Sequence, residues 1–334
     1  MAVTLKQVAE RAGVSTSAVS RTFTKGASVS EKTRKKVQNA ADSMGYSPNF
    51  LARSLTTRRT KMIGLVSNNF HNPIFLQVFD QFTRGLQDFD LRPLLVNLSD
   101  QTDPDASVQM LQQYSVDGVI VASSTLPLSF AKAFRDAKMP VVHAFGRLSS
   151  NPQVHVVGID NVECGRIAAR ALAQRGYRRV GFLGGPASAT STQDRFDGFL
   201  EELTHHSKIA VSHSFANAYS FNAGRDEMHR LLTSGVPDEA YFCGDDVLSI
   251  GALSAITSNG LSVPDDIGLI GLNDMEIAGW ENIALTTIHQ PIDKIITSAI
   301  QLIIATLENP GRPPEARLFP CHVVERASLR RPLR

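Results

Sequence analysis

Long apolar runs are missing from this sequence. No stretch of about 18 apolar residues occurs, so no membrane-spanning helix is expected. The opening MAVTLKQVAERAG carries charges where an export signal needs its apolar stretch, so export is not expected either. Cysteine is scarce. Cys164, Cys243 and Cys321 are odd in number and far apart in the chain, which excludes a disulfide framework. They read as buried small hydrophobes in a reducing cytoplasm. Catalytic motifs are missing too: there is no G-x-S-x-G elbow and no P-loop. GFLGGPA follows a strand-like run but is not GxGxxG, and reads as a tight turn leaving a strand. The adjacent pair His205-His206 has no i, i+4 partner backed by a carboxylate, so no metal site is expected. Enzymatic activity, catalytic residues and cofactors are therefore not expected.

What remains is an ordinary globular composition, 43% hydrophobic and 20% charged over 334 residues, enough for two or three structural units. Charge is distributed unevenly. Residues 1–61 hold twelve Lys or Arg and three acids, a net +9, whereas the remainder is net −7. A solvated charged face would not gather its charge at one end of the chain. A basic head on an acidic body is the electrostatic footprint of nucleic-acid binding.

The head reads as three short helices. Thr4 and Gln7 form a capping box, Leu5, Val8 and Ala12 share a face, and Gly13 stops the first helix. Ser15 caps a second helix with Ala18, Val19 and Phe23 inward. A third runs from Ser30-Glu31 to Gly45, with Val37, Ala40, Ala41 and Met44 inward. This spacing predicts a helix-turn-helix, whose second helix lies in the major groove with its N-terminal residues at the base edges: Thr16, Ser17, Ser20 and Arg21. Thr4 and Ser15 flank them. Beyond lies YSPNFLARSLTTRRTK (46–61), where Ser47-Pro48 reads as a helix start and Asn49 to Leu55 as barely two turns. A helix that short is marginal alone in water.

TLKQVAERAGVSTSAVSRTF together with GYSPNFLARSL closely resembles the lac repressor family (LacI/GalR) of bacterial regulators. The resemblance implies that the short segment is a hinge helix that orders on operator DNA and pairs with its dimer mate in the minor groove. Leu55 would then be wedged between base steps, with Asn49 and Ala52 facing the groove. Such coupling is physically consistent, since a marginal helix orders where a complex supplies its missing contacts.

From residue 61 apolar runs of strand length alternate with helical stretches such as 162–174 and 247–257. The runs are MIGLVSN, RPLLVNL, DGVIVAS, PVVHAFG, VHVVGID, RVGFLGG, IAVSHSF, AYFCGDD and DIGLIGLN. Continuous apolar strands between helices mean parallel sheets covered on both faces. Nine of them, with a break near residue 160, predict two doubly wound subdomains. The late segment LTTIHQPIDKIITSAIQLII is expected to cross back to the first. Parallel sheets bind ligands beyond the carboxyl ends of their strands, so two facing subdomains make one cleft. The pattern resembles the periplasmic-binding-protein fold of the family's effector core, with hallmarks HNPIF, DGVIV, VGIDN, RRVGFLGGP, DRFDGF, VPDDIGLIG and LTTIHQP.

Strand ends supply the effector-binding candidates. Arg195, expected in a strand-end loop, matches the family arginine that hydrogen-bonds effector hydroxyls or carboxylates. Asn273 stands where the family commonly has Asp, and Asp245 where it commonly has Asn. Tyr219 and Trp280 are candidates to stack on a sugar or base face, core packing being the competing reading. Asn68, Asn69, Phe70 and Phe75 are expected to line the opposite wall, with Ser123 and Ser124 at a later strand end and Arg147 beside them.

These readings predict a helical DNA-binding head (1–46), a hinge helix and linker (47–61), and an α/β core (62–334). Within the core, subdomain 1 covers about 62–160 plus 292–320, and subdomain 2 about 161–290 plus 321–334. The expected function is a cytoplasmic, homodimeric transcriptional repressor that binds operator DNA, with affinity set by a small, sugar-like effector. No heptad tail follows the last strand, so tetramers are not expected. The alternatives are a core that responds to a purine or to a protein co-regulator, and a sugar-binding or enzymatic protein with an added head.

Overall fold

A computed structural model describes residues 3–24, 26–47, 59–98, 103–235 and 237–333. It divides into two compact units, Met1–Thr60 and Lys61–Arg334. The proposed hinge residues Asn49, Ala52 and Leu55 lie outside the described residues.

The first unit holds α1 (Leu5–Ala12), α2 (Thr16–Thr22) and α3 (Glu31–Met44). Each starts on a hydroxyl cap, Thr4, Ser15 or Ser30, that accepts a backbone N–H of the first turn. The capping box is complete, with Gln7 Oε1 accepting the Thr4 N–H at 2.8 Å. Gly13 and Gly45 end α1 and α3 at φ of 64° and 63°, the left-handed conformation that costs glycine least. Val8, Val19 and Val37, one per helix, meet in a small core that Phe23 and Tyr46 cover. Arg34 Nη1 donates to the Thr22 carbonyl at 2.9 Å and ties α3 to the end of α2.

The second unit contains two six-stranded sheets. The first is built from β1 (Met62–Ser67), β2 (Arg92–Asn97), β3 (Gly118–Ala122), β4 (Val141–Ala144), β5 (His155–Gly158) and β11 (Ala316–Leu318), ordered β11-β5-β4-β3-β1-β2 and parallel throughout. The second is built from β6 (Arg179–Gly184), β7 (Ala210–Phe215), β8 (Ala240–Cys243), β9 (Gly268–Asn273), β10 (Thr287–His289) and β12 (His322–Val324), ordered β12-β10-β9-β8-β6-β7. Only β12 is antiparallel to its neighbour.

α4 (Ile74–Asp88), α5 (Pro104–Gln113) and α6 (Leu128–Asp136) belong to the first half. α7 (Asn161–Ala173), α8 (Thr190–Leu203), α9 (Phe221–Thr233) and α10 (Asp246–Ser258) belong to the second. The chain passes between the sheets three times: at Ile159–Asp160, from β10 into α11 (Ile292–Glu308), and at residues 319–321 between β11 and β12. α11 packs against α4, β3, β4 and β5 and returns the chain to the first sheet.

β3, β4, β5, β8 and β9 are buried along their whole lengths, as continuous Val, Ile, Leu and Phe runs require when helices cover both faces. Arg195 is corrected from a strand-end loop to α8. The helix starts at Thr190 behind Ala189, a cap position with no side-chain hydrogen bond, which hides the start from sequence reading. α7 and α8 touch almost backbone to backbone. A methyl group on Gly198 would collide with the Val162 carbonyl, and one on Gly165 with that of Arg195.

Candidate functional site

In the head unit the candidate base-reading groups crowd the start of α2. Thr16, Ser17, Ser20 and Arg21 are all exposed, as are Thr4 and Ser15. Ser15 Oγ accepts the Ala18 N–H at 3.2 Å and lies 2.9 Å from Ser17 Oγ, so the first turn is pinned and its hydroxyls share one edge. Val19 and Thr22, on the opposite side, are buried. An exposed polar N-terminal turn on a small rigid helix suits entry into a major groove.

In the core unit the carboxyl ends of the strands converge on a narrow, partly open cavity whose free space is only about 30 Å³. From the first half come Asn69, Asn72, Ile74, Phe75, Val78, Ser124, Phe145 and Ile292. From the second come Arg195, Tyr219, Asp245, Asn273 and Gln290. Arg195 is buried. Its Nε donates to Asn161 Oδ1 at 2.8 Å and its Nη1 to the Gly244 carbonyl at 2.6 Å, which fixes the plane of the guanidinium at the wall. Tyr219 shares a 2.7 Å hydrogen bond with Thr192 through their hydroxyls.

Asp245 caps α10 by accepting the Leu248 N–H at 2.9 Å through Oδ1, while Oδ2 accepts from Asn72 Nδ2 at 2.6 Å across the cavity. Burial raises its pKa above the ordinary carboxylate value, opposed by the Leu248 N–H, Arg195 and Asn72. Asn273 sits at the end of β9 with φ of 126°. The cleft is held shut by two further contacts. Thr190 Oγ1 donates to the Ser124 carbonyl at 3.2 Å, and Arg147 pairs with Asp194 at 2.5 Å. Burial raises Asp194 even so.

Of the residues singled out from sequence, Phe75, Arg195, Tyr219, Asp245 and Asn273 line this cavity, with Asn69 and Ser124 beside them. The others stand apart. Asn68 Oδ1 accepts from Ser123 Oγ at 2.8 Å and from Thr125 Oγ1 at 3.1 Å, a turn-forming knot behind the wall. Phe70 stacks on Phe79 at 4.6 Å. Arg147 bridges the lips through its ion pair without lining the cavity. Trp280 is 53% exposed in a separate groove with Leu76, Phe221, Ile250 and Ile277. Its position after a short 3-10 helix (Glu276–Gly279) turns the ring outward.

Sequence reasoning did not single out Asn72, Phe145 or Gln290. Phe145 directly follows β4 and Gln290 directly follows β10, so the rule that ligands sit beyond strand ends could have found both.

Among the described residues no group of three or more His, Cys, Asp or Glu could hold a metal ion. No helix among them is long and apolar enough to cross a membrane.

Residues 4–49 match the model of bacterial regulatory proteins of the lacI family, and residues 169–329 match a periplasmic binding protein-like domain. The HTH-type transcriptional repressor PurR of Proteus mirabilis is 33% identical over 98% of this chain and 96% of its own. That of Escherichia coli O139:H28 is 32% identical with the same coverage. Among solved structures, the lac repressor dimer bound to operator and an anti-inducer superposes with a TM-score of 0.89. It covers 99% of this chain and 100% of that one at 24% identity, a likeness of fold. The regulator CelR, solved as a cellobiose complex, gives 0.72 at 26% identity over 98% and 99% of the two chains. With a relative one-third identical over nearly its whole length, the chain belongs to the lacI family of bacterial regulatory proteins and is a DNA-binding repressor with a small-molecule effector, not an enzyme.

Proposed function

We propose that the effector is a neutral, hydroxyl-rich molecule, a sugar or sugar derivative, admitted between the two halves of the core when they part, since the cavity as it stands has room for about one water. The observation that carries this is the lining itself. One buried cation, Arg195, faces one buried anion, Asp245, so the site gains nothing from net charge on the ligand. Amides and hydroxyls of Asn69, Asn72, Ser124, Tyr219, Asn273 and Gln290 surround them, beside an apolar wall of Phe75, Val78 and Phe145. Polar edges over an apolar face suit a sugar ring. Phe75 and Phe145 meet edge-on at 6.3 Å and 64° and close one side of the cavity with apolar surface. CelR, 26% identical, is solved with cellobiose, which supports the same reading.

Asn72 occupies Asp245 in the closed cleft, so a ligand hydroxyl must take its place. On this reading the effector alters the angle between the halves and thereby the operator affinity. Thr16, Ser17, Ser20 and Arg21 read base edges, Thr4 and Ser15 contact the backbone, and Asn49, Ala52 and Leu55 act in the minor groove. Leu76, 78% exposed, and Trp280 with Phe221 line an apolar groove of about 620 Å³ suited to a second copy of the chain, so the protein acts as a homodimer.

Calorimetry of the full chain against a panel of neutral sugars, sugar phosphates and purines tests the effector class. Binding of a neutral sugar with the Arg195→Ala variant silent is the expected result, and binding of purines alone overturns the reading. Selection from a randomised operator library tests the head. Thr16→Ala and Ser17→Ala should change the selected sequence, and an unchanged profile removes them as base readers.

A further inference from the structure

The three cysteines differ sharply in setting. Cys243 ends β8 in the centre of the second sheet, fully buried, and burial pushes its thiol up to about 12. It is chemically inert. Cys164 and Cys321 lie 157 positions apart in sequence, yet their thiols are within hydrogen-bonding reach of each other. Both are free.

Their places in the fold are specific. Cys164 lies in the first turns of α7, just after the passage at Ile159–Asp160. Cys321 ends the third passage, immediately before β12. The two passages run side by side there, since the Phe319 N–H donates to the Gly158 carbonyl at 3.0 Å. Cys164 is buried, while Cys321 is only half-buried, packed against the same apolar cluster. Contact with the Cys164 thiol holds the Cys321 thiol below its ordinary value. Arg195 adds to that and burial opposes it. The same contact and burial hold Cys164 well above its own value. One sulfur is therefore half-exposed, and its neighbour is buried.

We propose that Cys321 and Cys164 form a peroxide-responsive dithiol whose oxidation staples two of the three passages between the halves of the core. The oxidant is a hydroperoxide. The Cys321 thiolate attacks the terminal peroxide oxygen, the O–O bond breaks, and alcohol or water leaves with the proton it needs, giving a sulfenic acid at Cys321. The Cys164 sulfur then attacks the Cys321 sulfur. The S–O bond breaks, and the Cys164 proton leaves with the departing hydroxide as water. Overall two thiols and one hydroperoxide give one disulfide, one alcohol or water, and one water. A thiol or dithiol reductant reverses the reaction by exchange. Cytoplasmic disulfides of this kind are transient and redox-sensing rather than structural. Any change of angle between the two sheets turns on the three passages, so a bond joining two of them resists it.

The experiment treats the full-length protein with hydrogen peroxide, alkylates the remaining thiols, and maps peptides without reduction. The expected product is a single cross-linked Cys164–Cys321 peptide, with loss of two hydrogen masses from the intact chain and full reversal by dithiothreitol. Cys164→Ser and Cys321→Ser should each abolish it, whereas Cys243→Ser should not. Amide exchange over residues 159–162 and 319–324 should slow several-fold on oxidation and recover on reduction. Over-oxidation of Cys321 with Cys164 still alkylatable, or a cross-link to Cys243 or to a second chain, overturns the proposal. So does unchanged exchange in the cross-linked protein. The mapping of the unsubstituted protein decides the chemistry even where a serine variant folds poorly.

Discussion

The two lips of the cleft divide their work unequally. The lip from the first sheet is mostly apolar: Ile74, Phe75, Val78, Phe145 and Ile292 against Asn69, Asn72 and Ser124. The lip from the second is polar throughout, with Arg195, Tyr219, Asp245, Asn273 and Gln290. The apolar groups are also members of the main hydrophobic cluster, so that wall is continuous with the core. Arg195, Tyr219 and Asp245 are held by hydrogen bonds from behind, and burying such groups costs free energy that the fold must offset. One lip is thus bound up with stability, and the other is chemistry maintained at stability's expense.

That contrast can be broken by substitution. Phe75→Ala removes a buried ring shared by wall and core, and should cost about 3–5 kcal/mol of unfolding free energy, with effector affinity falling as well. Denaturant unfolding reads the first effect and calorimetry the second; a loss of affinity at full stability would separate wall from core.

Asp246 probes the opposite lip. It is buried behind Asp245, accepts from Thr287 Oγ1 at 2.5 Å and from the Met275 N–H at 2.8 Å, and burial raises its pKa to about 7. An acid whose folded pKa exceeds its unfolded value stabilises most below the unfolded value, and that contribution is lost as pH rises through the folded one. Between pH of about 4 and about 7 this group should erode stability by a few kcal/mol. Asp246→Asn should flatten the profile relative to the parent over that window. Identical slopes in the two proteins would show that the carboxyl does not titrate there.

Arg195→Ala should weaken effector binding by about 2–3 kcal/mol, roughly a hundredfold, while operator binding without effector persists. Stability should fall by about 1–2 kcal/mol, because Asn161 and the Gly244 carbonyl lose their donor. Effector-dependent operator release is the measurement, and an undiminished response removes Arg195 as a contact. Tyr219→Phe should have the smallest effect, about 1 kcal/mol in effector affinity or in stability, since one hydroxyl bond to Thr192 is lost.

Much of the fold could be read from sequence because its strands are continuous apolar runs between helices. The three strands that escaped that reading, β10, β11 and β12, have three residues each. Too short to show a period, they exist because a neighbouring strand offers a free edge. The head was legible down to its caps, since Thr4, Ser15, Gly13 and Gly45 act locally. The cleft was legible in part. Asp245 and Asn273 follow from the strand-end rule, and Phe75 and Arg195 come from motifs. Asn72 is buried against Asp245, a partner 173 positions away, and nothing local announces that pairing. Trp280 was misplaced because ring orientation after a 3-10 turn depends on tertiary packing. The cysteine pair stayed hidden for the same reason.

The backbone-close seating of α7 on α8 bears on how such a protein can drift in sequence. Gly165 and Gly198 admit no side chain, so the helix carrying Arg195 cannot slide along the helix carrying its partner Asn161. Asp245, Asn273 and Gln290 lie at the ends of separate strands and can change one at a time. The cavity lining can therefore change at the strand ends around a stationary arginine, while the helix pair keeps its register. The exchange of Asn and Asp at positions 245 and 273, relative to the usual pattern the sequence resembles, is the kind of rewriting this geometry permits.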